Sequence, residues 1–84
     1  MATTVFFFAG LREALGVSSL ALDLPPAATT VAGLRDHLAA RGGIWLALTQ
    51  TRNLRAAVNQ SLVDLNATVK DGDEVAFFPP VTGG

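Results

Sequence analysis

Several residue types are missing or scarce in this chain, and each absence excludes a class of protein. There is no cysteine, which excludes a disulfide framework, an iron–sulfur cluster, a thiolate metal site and a cysteine nucleophile. The single histidine cannot form a metal site alone, so we expect no bound metal. The six basic residues are spread along the chain without the cluster that nucleic-acid binders use, so we expect no nucleic-acid partner.

Long apolar segments are also absent. No apolar run approaches the roughly 20 residues that a membrane-spanning helix needs, and the N-terminal residues lack the basic region of a secretory signal. We therefore expect a cytoplasmic protein with no membrane partner. Hydrophobic side chains are nevertheless abundant, because they make up 50% of the 84 residues. In so small a chain this excess predicts an apolar surface that a partner covers.

The order of the predicted elements indicates an α+β fold. Residues 5–9 are predicted as a strand, 11–15 as one helical turn at most, 20–24 as a strand antiparallel to the first, 31–41 as the main helix, and 55–59, 62–63 and 74–78 as further strands. The helix is expected to begin after Thr29 or Thr30, either of which can cap it. This order resembles the β-grasp arrangement of ubiquitin-like folds, in which a mixed sheet of about four to five strands packs on one main helix. We expect one such domain over residues 1–80, followed by a flexible tail over residues 81–84.

The first and last strands carry large apolar side chains on both faces. Alternation places one set on one face (Val5, Phe7, Val75, Phe77) and three phenylalanines on the other (Phe6, Phe8, Phe78). One helix covers only one face of a sheet, so the second set is expected to stay outside unless short helices or loops cover part of it. Several aromatic side chains outside would form a docking patch for another protein.

The sequence closes on a pair of glycines, Gly83 and Gly84, which we expect to present a free carboxylate. A glycine has no Cβ, so such a stalk can thread a narrow channel, and the four residues from Val81 span at most about 13–14 Å. The carboxylate is ionised at neutral pH and is a poor electrophile, so it must be activated before it reacts. Adenylation by ATP would allow attack by an amine or by a sulfur donor. No convincing catalytic constellation is present in the chain itself.

Two stretches carry a resemblance to a known family. They are residues 57–63, AVNQSLV, and residues 71–84, DGDEVAFFPPVTGG, supported by the opening residues 7–9 and 11–13. With these motifs the chain resembles the MoaD/ThiS family of ubiquitin-like sulfur carriers, above all the small subunits of molybdopterin synthase. The resemblance covers essentially the whole chain.

The resemblance implies a function in molybdenum cofactor biosynthesis. An E1-like adenylyltransferase would adenylate Gly84 with ATP, and a sulfur donor would convert the adenylate to a thiocarboxylate. The tail would then deliver sulfur to cyclic pyranopterin monophosphate inside the large synthase subunit, in a complex of two large and two small subunits. The small subunit would bind no cofactor and would not be an enzyme on its own, since the family's catalytic groups belong to the large subunit.

The resemblance also implies site residues. Gly84 would bear the sulfur and Gly83 would thread beside it. The residues that match the family's partner-binding positions lie on the predicted outer face and along the tail: Phe8, Leu62, Phe78, Pro79, Pro80, Val81 and Thr82. Other functions stay open: a sulfur carrier for the thiazole of thiamine, a ubiquitin-like modifier joined to lysine through Gly84, or an interaction module with an inert tail.

Overall fold

The structure is a computed structural model, and it describes residues 2–26 and 28–80. The elements follow one another as β1 (Thr3–Phe7), α1 (Ala9–Leu15), β2 (Ser19–Leu22), α2 (Val31–Ala39), a 3₁₀ helix (Gly43–Leu46), α3 (Ala47–Gln50), β3 (Arg55–Val58), β4 (Ser61–Val63) and β5 (Glu74–Phe78). The predicted tail, residues 81–84, lies outside the described residues. The predicted order of strands and helices is confirmed.

The five strands form one mixed sheet in the order β2-β1-β5-β3-β4. The central pair, β1 and β5, is parallel, whereas β1–β2, β3–β4 and β3–β5 are antiparallel. The main helix, α2, connects the first hairpin to the second half of the sheet. This arrangement confirms the predicted α+β class and the ubiquitin-like β-grasp fold.

Helix α2 has the start and the buried stripe that its sequence predicts. The Thr30 side chain accepts a hydrogen bond from the Gly33 backbone N–H at 3.1 Å, which satisfies one of the free donors of the first turn. The apolar residues at helical spacing, Val31, Leu34 and Leu38, are fully buried. The helix ends at Ala39, earlier than expected, and the backbone turns left-handed only at Gly42 and Gly43.

The core lies between α2 and the face of the sheet that we call the inner face. Its aromatic centre is the stacked pair Phe7 and Phe77, whose ring centroids are 6.4 Å apart. Val5 and Val75 flank this pair, and all four side chains are completely buried. Trp45 closes the same cluster, because its ring meets Phe7 edge-on at 5.9 Å. The centre of the inner face is therefore completely covered, as the alternation predicts, while Leu20, Leu22 and Val63 on its edge strands are half-buried.

The predicted boundary between the first strand and the first helix was wrong. The strand ends at Phe7 instead of Ala9, and residues 9–15 form a two-turn helix instead of a single turn at most. The cause is Ala9, whose φ of 53° is left-handed and is incompatible with continuing the strand. Gly16, also left-handed, ends the helix, as expected.

The hairpin between β3 and β4 turns through Asn59 and Gln60, both with positive φ (50° and 71°). A two-residue loop of this kind matches the right-handed twist of the strands it joins. The Asn59 side chain also reaches the start of β5. Its Nδ2 donates to the Asp73 carboxylate at 3.1 Å and its Oδ1 accepts from the Glu74 backbone N–H at 3.0 Å. The turn therefore fixes the hairpin to the central strand.

Within the described ranges, no helix has the length and apolarity needed to cross a lipid bilayer.

Candidate functional site

The face of the sheet opposite α2, called the outer face here, carries a continuous apolar row across four strands. Phe6 on β1 pairs with Ala76 on β5. Ala76 pairs in turn with Ala57 on β3, whose other neighbour is Leu62 on β4. Paired residues project to the same face of a sheet, so these four side chains form one transverse band. The band exists because each strand places an apolar residue at its outward position.

Phenylalanines stand along one side of this band. The rings of Phe6 and Phe8 stack with centroids 6.4 Å apart and planes 22° from parallel. Phe8 keeps 47% of its surface exposed, and Phe78 is half-buried. Since Ala57 and Ala76 between them are small, the surface dips to form a hollow of about 410 Å³. We call it the apolar hollow, and it is lined by Phe6, Phe8, Ala57, Gln60, Glu74, Ala76 and Phe78.

A second hollow lies near the first, at the C-terminal end of β5. Its volume is about 700 Å³, and we call it the exit hollow because Pro80, the last described residue, lines it. The remaining lining residues come from β3, β4 and the segments beside them: Asn53, Leu54, Arg55, Leu62, Val63, Asp64 and Leu65. Leu62 is 66% exposed. The exit hollow therefore lies at the border of the outer face, since its lining also includes Val63, whose register partner Ala56 is buried on the inner face.

The structure brings the predicted docking residues together. Phe8, Leu62 and Phe78 all lie on the outer face, and Pro79 and Pro80 continue directly from its central strand, half-buried. Val81, Thr82, Gly83 and Gly84 lie outside the described residues. The alternative expectation is that short helices or loops cover part of this face. Phe6 and Phe78 are half-buried, so the face is covered only in part. The roles of these residues stay predictions.

Some residues of the outer face could not be predicted from the sequence. Ala57, Ala76 and Gln60 line the apolar hollow, but nothing marks them until the strand pairing is known. Their one detectable signal is small size at outward positions next to phenylalanines. From the sequence, Arg52 and Arg55 are cations that could meet an acidic rim on a partner. The structure adds that Arg55 pairs with Phe78 in the sheet register and lines the exit hollow.

Ala9 determines where Phe8 points. Phe8 is still extended, with φ −125° and ψ 159°, and its backbone N–H donates to the Phe77 carbonyl at 3.2 Å. The left-handed turn at Ala9 then starts α1, so Leu11 enters the core while Phe8 stays on the outer face. A non-glycine residue with positive φ carries a cost of about 1–2 kcal/mol. The strained residue, Ala9, is therefore the direct neighbour of Phe8, one of the most exposed aromatic side chains.

Chemistry-bearing groups do not converge on this surface. Over residues 2–26 and 28–80 there is no cluster of three His, Cys, Asp or Glu side chains suited to a metal ion. The charged lining residues flank the band, with Arg55 and Asp64 at the exit hollow and Glu74 at the apolar hollow. The arrangement is suited to holding another protein.

Comparison with known proteins shows the family of this chain. The family model for the ThiS family matches residues 5–84. The chain belongs to the ThiS family. This ThiS-family chain is 49% identical over 82 residues to the molybdopterin synthase sulfur carrier subunit of Escherichia coli (strain K12), and the alignment covers 95% of this chain and 96% of that protein.

Solved structures share the fold of this ThiS-family chain. The crystal structure of SAMP1 from Haloferax volcanii superposes with a TM-score of 0.76 at 26% identity, covering 100% of both chains. The protein–protein complex of subunits 1 and 2 of the molybdopterin-converting factor from Helicobacter pylori 26695 gives a TM-score of 0.65 at 27% identity, again covering 100% of both chains. That second likeness is to a protein solved together with its partner subunit.

Proposed function

We propose that this chain is the sulfur-carrier small subunit of molybdopterin synthase, which acts in molybdenum cofactor biosynthesis. The observation that carries the proposal is the near-full-length identity of 49% to the Escherichia coli subunit of that name. Two further observations support it. The family match continues to Gly84, and the outer face offers an apolar surface that leads into the tail.

The proposed chemistry takes place at the Gly84 carboxylate. An E1-like adenylyltransferase binds the tail and ATP, a carboxylate oxygen attacks the α-phosphorus, and pyrophosphate leaves. Hydrosulfide supplied by a sulfur donor then attacks the carbonyl carbon of the acyl-adenylate, a C–S bond forms, and the bond to AMP breaks so that AMP leaves. The product is a C-terminal thiocarboxylate. ATP belongs to the activating enzyme, so the carrier itself holds no cofactor, and Gly83 contributes by letting the stalk enter a narrow site.

Delivery of the sulfur uses the outer face. Phe8, Leu62 and Phe78 dock on the large synthase subunit, and the segment from Pro79 to Thr82 contacts the same partner along the path of the tail. Proline at positions 79 and 80 favours an extended exit from the sheet. Gly84 then reaches the active site of the large subunit, where sulfur passes to cyclic pyranopterin monophosphate. The groups that catalyse this transfer belong to the large subunit, and two copies of each subunit form the complex.

A ubiquitin-like protein modifier is the second candidate. The fold likeness to SAMP1, a small archaeal modifier protein, favours it, because the same activated Gly84 would form an isopeptide bond with a lysine. A carrier for the thiazole of thiamine uses the same carboxylate and is a further alternative. Both share the activation step, so the acceptor distinguishes them.

The test is intact-mass analysis after incubation with the activating enzyme, Mg-ATP and a sulfur donor. We expect the mass to rise by the difference between sulfur and oxygen, with no change in a variant that lacks Gly83 and Gly84. The Escherichia coli subunit, treated in parallel, shows that the conditions are competent. An unchanged mass beside a converted control would contradict the carrier function. High-mass conjugates that depend on Gly84 would favour the modifier.

A further inference from the structure

Arg55 is a cation at the point where the chain leaves the sheet. It is exposed on β3 and pairs in register with Phe78 on β5, so the two residues share the outer face. It also lines the exit hollow together with Pro80. The guanidinium therefore lies beside both the aromatic docking surface and the start of the tail.

Arg55 forms no ion pair within the described part of the chain. Among those residues the ion pair within 4.0 Å is Arg35 with Asp36, at 3.0 Å. Asp64 lines the same hollow, but its Oδ1 accepts the Asn66 backbone N–H at 2.8 Å and so caps its own turn. Among residues 2–26 and 28–80, Arg55 thus has no carboxylate within ion-pair distance.

A partner that covers the outer face must also meet this cation. A charge that is removed from water without a counter-charge is strongly unfavourable, whereas a complementary charge at the margin of an interface speeds association and selects the orientation. Glu74 lies on the opposite side of the band from Arg55, and it lines the apolar hollow. Arg55 and Glu74 thus stand on opposite sides of the band, and a partner surface that complements both charges has one favourable orientation.

Building on the proposed function, we propose that the exit hollow receives an acidic side chain of the large synthase subunit, which pairs with Arg55. This contact extends the apolar docking surface to the base of the tail. Its role is to orient the carrier, so that the tail and the channel of the large subunit meet. Arg55 is a partner-specificity residue and takes no part in the sulfur chemistry.

The experiment measures association of the full chain with the large subunit encoded by the same genome, by surface-immobilised kinetics at about 50 mM and about 500 mM salt. We expect Arg55→Ala to weaken binding about fivefold at the lower salt, mainly through slower association, and Arg55→Glu about thirtyfold. Both differences should shrink at the higher salt. Circular dichroism and thermal melting establish that the variants fold, and Arg55→Gln provides a second neutral variant.

Two controls separate a local contact from net charge. Arg35→Glu on α2, on the opposite side of the sheet, makes the same charge change and should bind as the wild type does. Asp64→Asn removes an anion from the exit hollow and should leave binding unchanged or tighter. Weaker binding by Asp64→Asn, or tighter binding by Arg55→Glu, would show a basic partner surface and overturn the proposal.

The outcomes also distinguish this inference from the function on which it rests. If both Arg55 variants bind as tightly as the wild type while Phe78→Glu binds weakly, the acidic contact is refuted and the carrier function stands. If the wild-type chain does not bind the large subunit at all, the proposed function fails and the inference fails with it.

Discussion

The two faces of the sheet are built from the same residue types and do opposite things. On the inner face, Phe7 and Phe77 are completely buried against the helices. On the outer face, Phe8 is 47% exposed and Phe78 is half-buried. Phe77 and Phe78 are neighbours in the chain, yet one belongs to the core and the other to the outer face. Burial follows from the face that α2 covers and not from hydrophobicity.

The largest expected effect compares those two neighbours. Phe77→Ala should lower the free energy of unfolding by about 3–5 kcal/mol, since it leaves a cavity in the core. Phe78→Ala should cost about 1 kcal/mol or less, because its side chain is already partly in water. Urea denaturation, followed by the fluorescence of Trp45, measures both. Equal losses of unfolding free energy would show that Phe78 contributes as much to the core as Phe77, and would contradict the distinction between the two faces.

Next in size is an effect on binding alone. Phe78→Glu should raise the Kd for the large synthase subunit about a hundredfold, since it places a charge in the centre of an apolar contact. Stability should change little. The matched control is Ile44→Glu, which alters another exposed apolar side chain, 55% accessible, on the helix side of the sheet. Loss of affinity in Ile44→Glu as well would move the docking surface away from the outer face.

A smaller effect is expected at Asn59, whose bonds hold the β3–β4 hairpin to β5 and so support both faces. Asn59→Ala should lower the free energy of unfolding by about 2 kcal/mol, through lost hydrogen bonds and a strained left-handed backbone. Asn59→Gly keeps the backbone geometry and should lose only about 1 kcal/mol. Thermal melts of both variants measure this difference. If the glycine variant is the less stable, the strain argument is wrong.

The smallest expected effect is at the junction where the chain passes from the outer face to the core. Ala9→Gly should raise the free energy of unfolding by about 0.5 kcal/mol, because relief of the left-handed strain outweighs the added freedom of the unfolded chain. Chemical denaturation in replicate resolves a change of this size. A destabilised variant would contradict the account of Ala9.

Much of the fold was predictable because its signals are local. The Thr30 cap, the buried stripe of α2 and the extent of β5 are confirmed as their sequence predicts. The predicted end of β1 was wrong, because neither composition nor periodicity indicates that Ala9 adopts a left-handed conformation. The predicted docking residues Phe8, Leu62 and Phe78 lie on one face, whereas the position of Arg55 beside Phe78 and the role of the two alanines in the apolar hollow emerge only from the strand register.

By itself the sequence determined which side chains share a face of each strand, since the pleat alternates at every residue and needs no distant neighbour. It also carried the DGDEVAFFPPVTGG motif that resembles the family. Only the tertiary structure decided that β1 lies parallel to β5, which places Phe6 beside Ala76 and, one strand further, Arg55 beside Phe78. Such pairings join residues far apart in the chain, and they are selected by the burial of the whole inner face against α2, which no short segment encodes.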